Sequence, residues 1–143
     1  MPRHSRALVK TAMLWLVLGM ALWAASAAPR LFALPGLASA LRPSALHAVT
    51  VGWLTQLVMG VAVWLFPRPR SGPGGGRPAT RPAAVWTAYG LLNAGLAARV
   101  ATEPFAALGM PGPWRAPLVA SGVLQWTAVM LFAGLLWPRV RGS

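Results

Sequence analysis

The chain has no cysteine and a single acidic residue, Glu103, against 13 lysines and arginines. Without cysteine it can form no disulfide, no thiolate metal site, no iron–sulfur cluster and no cysteine-linked haem attachment. Charged residues make up 10% of the chain and hydrophobic residues 57%, whereas a soluble domain carries about 25% charged residues. The composition therefore indicates an integral membrane protein, because its charges are too few to cover a surface in water.

The strongly basic balance does not predict nucleic-acid binding. The formal net charge is +12, but the lysines and arginines stand just outside apolar runs instead of forming a patch interleaved with aromatic residues. Basic residues in these positions are typical of the regions that flank membrane spans. We therefore expect the partner to be the lipid bilayer and not a nucleic acid.

The longest apolar run predicts a membrane-spanning helix. Residues 44–66 contain His47 but no other acid or base, and at ~1.5 Å per residue they give roughly 34 Å of helix, enough to cross a hydrocarbon layer of ~30 Å. Further runs cover residues 11–28, 83–102 and 118–137. We predict an all-α, four-helix transmembrane bundle, a single membrane domain over residues 1–143. A cleaved signal peptide ending near Ala27 remains the alternative for the first run.

The distribution of basic residues predicts the topology of the chain in the membrane. Residues 67–82 hold five prolines, four glycines and four arginines, a composition typical of a flexible linker. The N-terminus, this linker and the C-terminus together carry nine basic residues, and the opposite side carries four. The positive-inside rule then places both termini in the cytoplasm. Together with the Ala/Arg/Pro/Gly-rich usage, this suggests a multi-pass protein of a bacterial inner membrane.

Ionisable groups inside a membrane are costly and are usually functional, and the predicted spans contain two, His47 and Arg99. His47 is either an inert imidazole at the interface, an axial ligand of haem, or a proton relay. The relay would need an acidic partner, which the spans lack because Glu103 is predicted to lie in a loop over residues 103–116. Arg99 either pairs with Glu103 or contacts another anionic group.

The second span resembles the second transmembrane helix of haem–copper oxidase catalytic subunits, in particular the cytochrome cbb3-type and nitric oxide reductase-like branch. The resemblance covers about 24 residues, from HAVTVGWLTQ to the closing WLFPR, and its matching positions are His47, Gly52-Trp53, Thr55-Gln56, Gly60, Trp64 and Phe66-Pro67. It implies that His47 is an axial ligand of haem b. By the same resemblance, Arg99 would contact a haem propionate and Trp53 would pack on the haem face.

The chain departs from that family in ways that limit its function. It has four predicted spans, far fewer than the catalytic subunit, and its other histidine, His4, lies in the N-terminal tail. It therefore has no binuclear oxygen- or NO-reducing site, and we expect no enzymatic activity. A second haem ligand would come from His47 of another copy, from a partner subunit, or from Met20 or Met110.

Two functions follow from these observations. The first is a haem-binding or accessory membrane protein in or near a respiratory chain, in electron transfer or assembly. The second is a haem-free structural or assembly subunit that packs through its glycines, within a homo-oligomer or a larger membrane complex. For the second function we expect bulky substitutions at Gly52, Gly60 or Gly90 to disrupt assembly. A stripe of small residues, Gly90, Ala94 and Ala98, predicts close helix packing.

The remaining polar residues of the spans are expected to form hydrogen bonds between helices. They are Thr50, Thr55, Gln56, Tyr89, Asn93, Gln125 and Thr127.

Overall fold

A computed structural model describes residues 1–33, 35–66 and 82–140 of the chain. Within these ranges the chain forms helices and no strand, which confirms the predicted all-α class. The four long helices are α1 (Arg3–Ser26), α2 (Leu37–Leu65), α3 (Pro82–Ala107) and α4 (Arg115–Val140). A short 3-10 turn, Pro29–Leu31, lies between α1 and α2. The predicted linker, apart from Pro82, lies outside the described residues.

Three of these helices are long and apolar enough to cross a membrane: Arg3–Ser26, Leu37–Leu65 and Arg115–Pro138. Helix α3 has 26 residues, or roughly 39 Å, but it lacks a continuous apolar stretch like those of the other three. In both α1 and α4 only 17% of the apolar window is buried inside the protein. Leu14 and Trp126, for example, are 69% and 66% exposed. Such outward apolar faces are stable against lipid tails, so the structure agrees with a membrane protein.

Helix α2 begins earlier than the sequence predicts. Its N-cap is Gly36, whose φ of 82° lies in the left-handed region that glycine adopts without a Cβ clash. The helix therefore starts at Leu37, and Pro43 lies inside it. Ser44, the first residue of the predicted span, is a buried residue within the helix and its hydroxyl is free to bind a neighbouring helix.

The middle of α2 is a π-helical segment, Ala48–Thr55, which follows directly after His47. Thr55 Oγ1 donates to the carbonyl oxygen of Thr50 at 2.9 Å, a bond that spans five residues, as the backbone bonds of a π-helix do. Such segments are rare and often occur at functional sites. No feature of the sequence predicted this change of helix type.

The helices pack closely at glycines. Helix α1 packs against α2 at Gly19 and Gly52, where an added Cβ would lie 2.7 Å from Val49 and 2.6 Å from Trp15. Helix α3 packs against α4 at Gly95, where an added Cβ would lie 2.9 Å from the Ser121 carbonyl oxygen. An apolar core joins all four helices at the end of the bundle where α1 and α3 begin. It comprises Leu8, Met59, Ala62, Val63, Val85, Ala88, Leu92, Ala128 and Phe132.

Candidate functional site

Four polar residues of α2 and α3 meet at the end of the bundle where α1 and α3 finish. Ser44 and His47 lie one turn apart on α2, and Arg99 and Glu103 lie one turn apart on α3, so that each pair shares a helix face. We call these four residues the polar cluster. Its charged side chains are partly buried, with His47 31%, Arg99 23% and Glu103 15% exposed.

Glu103 is the acceptor at the centre of the polar cluster. The Ser44 hydroxyl donates to Glu103 Oε2 at 3.3 Å, and His47 Nδ1 lies 3.1 Å from the same oxygen. Arg99 Nη1 lies 3.6 Å from the other carboxylate oxygen, Oε1. One carboxylate thus binds a hydroxyl and an imidazole from α2 and a guanidinium from its own helix.

The hydrogen bonds of His47 decide which ring nitrogen carries the proton. Arg99 Nη1 lies 3.3 Å from His47 Nε2, and because arginine can only donate, Nε2 must accept. The proton of the neutral ring is therefore on Nδ1, which lies 2.9 Å from the Pro43 carbonyl oxygen and 3.1 Å from Glu103. This tautomer is assigned from the bonding pattern. With a neutral imidazole, the charges of Arg99 and Glu103 balance.

The pairing of Arg99 with Glu103 was one of the alternatives that the sequence offered, and it is present in the structure. The pairing of Glu103 with His47 was missed. An acid directly before Pro104 suggests the end of a helix, because proline disfavours a helical conformation for the preceding residue. The helix nevertheless continues to Ala107, with Pro104 buried inside it. The contacts of Glu103 with α2 and the burial of Pro104 hold the chain helical there, and the acid thereby faces His47.

The structure allows a test of whether these residues fit the haem that the resemblance implies. Both ring nitrogens of His47 are bonded within the chain, and the Arg99 guanidinium lies against Nε2. The space beside Gly52 is filled by the Trp15 side chain, so a flat macrocycle has no room there. In this arrangement the residues do not fit a haem ligand set, because iron would have to displace Arg99 from His47.

The other residues implied by the resemblance are placed as follows. Arg99 contacts His47 and Glu103, and its buried Nε has no acceptor within the described ranges. Trp53 lies in the π-helical segment, partly buried, and its Nε1 likewise has no partner in the described part of the chain. Among the described residues, no group of three or more His, Asp or Glu side chains could hold a metal ion.

A second set of polar contacts joins α1 to α3 nearer the other end of the bundle. Trp15 Nε1 donates to Asn93 Oδ1 at 2.7 Å, and the hydroxyls of Thr11 and Tyr89 lie 2.9 Å apart. Asn93 Nδ2 also donates to the Tyr89 carbonyl oxygen. The expected hydrogen bonds between helices are thus present for Tyr89 and Asn93.

The chain matches no protein-family model, no curated protein and no solved structure. The resemblance to haem–copper oxidase subunits therefore rests on the residues of the second predicted span alone. Functional conclusions for this chain must come from its own geometry.

Proposed function

We propose that this chain is a haem-free structural or assembly subunit of a bacterial-type inner membrane, without enzymatic turnover of its own. In this proposal all four helices cross the membrane, and both termini and the linker lie in the cytoplasm. Nine basic residues on that side against four on the other support this orientation. The polar cluster then lies near the outer, non-cytoplasmic boundary.

The observation that carries the proposal is the use of both His47 ring nitrogens within the chain. A ligand histidine needs one nitrogen for the metal, and His47 instead accepts from Arg99 and donates toward Glu103 and Pro43. These contacts tie α2 to α3. A role in holding α2 against α3 therefore accounts for the ionisable residues of the polar cluster without a cofactor.

The outward face of α3 supports assembly with another membrane chain. The predicted small-residue stripe does not pack within the bundle: Gly90 and Ala94 are exposed, and an added Cβ at Gly90 would have no atom within 4 Å. Small residues on a lipid-facing surface allow a second helix to approach closely. We propose a second copy of this chain as the partner, with α3 at the interface.

Light scattering of the detergent-purified protein would test this proposal. We expect a protein mass of at least twice 15.1 kDa for the wild type and a monomer for Gly90→Leu. Gly134→Leu is the matched control, because Gly134 is also exposed with no atom within 4 Å of an added Cβ, but lies on α4. A wild-type monomer, or equal masses for both variants and the wild type, would contradict the proposal.

An absorption spectrum of the same preparation would separate the proposal from the haem-binding alternative. We expect a colourless protein that stays colourless after haem is added. A Soret band with sharp reduced α and β bands, lost in His47→Ala, would instead show that iron displaces Arg99 from His47 Nε2. That result would establish the haem-binding function.

A further inference from the structure

A groove of about 350 Å³ opens between α1 and α3 on the side of the bundle. It is lined by Thr11, Leu14, Trp15, Leu18, Tyr89, Asn93 and Ala97. The two helices meet there through long polar side chains, Trp15 with Asn93 and Thr11 with Tyr89, instead of through closely packed backbones. If α1 and α3 cross a membrane, as proposed above, the groove opens toward the lipid.

The polar groups of the groove have hydrogen-bond donors left over. The hydroxyls of Thr11 and Tyr89 carry one proton each, and the hydrogen bond between them uses only one of these two protons. Asn93 Nδ2 has two protons and donates one to the Tyr89 carbonyl oxygen, while its Oδ1 already accepts from Trp15. Unused donors in an apolar surrounding favour a ligand that brings acceptors, such as the carbonyl oxygens of an ester.

A positively charged side chain follows the groove at the end that faces the cytoplasm in the proposed topology. Lys10 is exposed and lies one turn before Leu14, on the same face of α1, and Leu18 follows one turn later. Arg3, seven residues before Lys10, is also exposed and lies close to the same face. From this end inward, the basic side chains are followed by the hydroxyls of Thr11 and Tyr89. Leu14 and the Asn93 amide come next, and the groove ends in the apolar side chains of Leu18 and Ala97.

We infer that this groove binds one anionic glycerophospholipid of the cytoplasmic leaflet. The phosphate contacts Lys10, the ester carbonyls accept from the Thr11–Tyr89 pair and Asn93, and an acyl chain lies along Leu14 and Leu18. The order of chemistry along the groove matches the order along such a lipid. The site is distinct from the polar cluster, none of whose four residues lines the groove.

Native mass spectrometry of the detergent-purified protein would test this inference. Phosphatidylglycerol and phosphatidylcholine with identical acyl chains are added separately, and bound molecules are counted. We expect one retained phosphatidylglycerol, bound about fivefold more tightly than phosphatidylcholine, as one lysine near an anionic headgroup predicts. Lys10→Gln should remove this preference. Arg115→Gln, the same charge change at an exposed position at the opposite end of the bundle, should leave it intact.

Two further variants separate the groove from general lipid adhesion. Ala97→Phe fills the groove from an exposed position on α3 and should abolish retention of both lipids. Tyr89→Phe removes a donor and should weaken both lipids alike, keeping the preference. Equal affinity of the wild type for both lipids, equal losses in Lys10→Gln and Arg115→Gln, or undiminished binding in Ala97→Phe would each overturn the inference. Gly90 lies seven residues before Ala97 on the same face of α3, so lipid retention is also measured on Gly90→Leu. Loss of the oligomer with the lipid retained would keep the two proposals separate.

Discussion

Gly52 offers the sharpest test of how α1, α2 and α3 fit together. A Cβ added there would lie 2.6 Å from both Cβ and Cγ of Trp15 and 2.8 Å from Leu96 Cδ2. Carbon atoms in contact are about 3.5–4.0 Å apart. The Cβ of Trp15 is attached directly to the backbone of α1, so a change of rotamer cannot move it away. Gly52→Ala therefore requires α1 to move outward by about 1 Å, on the same contact distances.

This movement has a cost that can be worked from the structure. Overpacking of a well-packed site costs about 1–3 kcal/mol. The same shift would stretch the hydrogen bond from Trp15 Nε1 to Asn93 Oδ1, now 2.7 Å long, and an interhelical bond in a membrane contributes about 0.6 kcal/mol. Replacing glycine by alanine in a helix also stabilises the helix by about 1 kcal/mol. The matched control, Gly90→Ala, gains the same stabilisation without any clash.

We expect the free energy of unfolding of Gly52→Ala to lie about 1.6–3.6 kcal/mol below that of Gly90→Ala, the sum of the overpacking and hydrogen-bond costs. Reversible unfolding of the detergent-solubilised protein by a denaturing detergent, followed by tryptophan fluorescence, would measure the difference. Equal stabilities of the two variants would refute the close approach of α1 to α2 at Gly52. That result would also mean that the space beside Gly52 could admit a macrocycle.

Three further predictions concern the polar cluster and the topology. Glu103→Leu should lower the free energy of unfolding by about 1–3 kcal/mol, because the buried donors of α2 and Arg99 lose their acceptor; unchanged unfolding would contradict this. In a double-mutant cycle, His47→Ala and Glu103→Leu should be non-additive by at least about 0.5 kcal/mol, since contacting residues couple, whereas additive losses would argue against their contact. A membrane-impermeant maleimide should label Ala33→Cys but not Ser71→Cys in intact spheroplasts, a clean comparison in a chain without native cysteine; the reverse pattern would invert the topology.

The helical class could be predicted from composition, but the helix ends could not. Pro43 and Pro104 are sequence signals for the boundary of a helix, and both lie inside helices. Local propensity was overridden at these positions by contacts between residues distant in sequence: Ser44 and Glu103 bond across 59 positions. Such contacts leave no local pattern, so a single sequence cannot reveal them.

The candidate site was predicted in part for the same reason. His47 and Arg99 stood out because they were ionisable residues in predicted spans. The structure places Arg99 Nη1 3.3 Å from His47 Nε2. Glu103, the residue that joins them, was assigned to a loop. Of the polar residues expected to bond between helices, Gln56, Tyr89 and Asn93 do so, whereas the threonine hydroxyls bond within their own helices. Threonine hydroxyls readily reach the carbonyl oxygen one turn back, so they were the least reliable part of that prediction.

The placement of polar residues on α3 explains why this helix is less apolar than the others. Tyr89, Asn93, Arg99 and Glu103 fall on one side of α3, where Tyr89 and Asn93 bond to α1 and the other two bond to α2. Helix α3 also packs on α4 at Gly95, one turn before Arg99. Because its polar groups bond to α1 and α2, α3 does not have to present them to hydrocarbon. These hydrogen bonds support the proposal that α3 crosses the membrane with the other three.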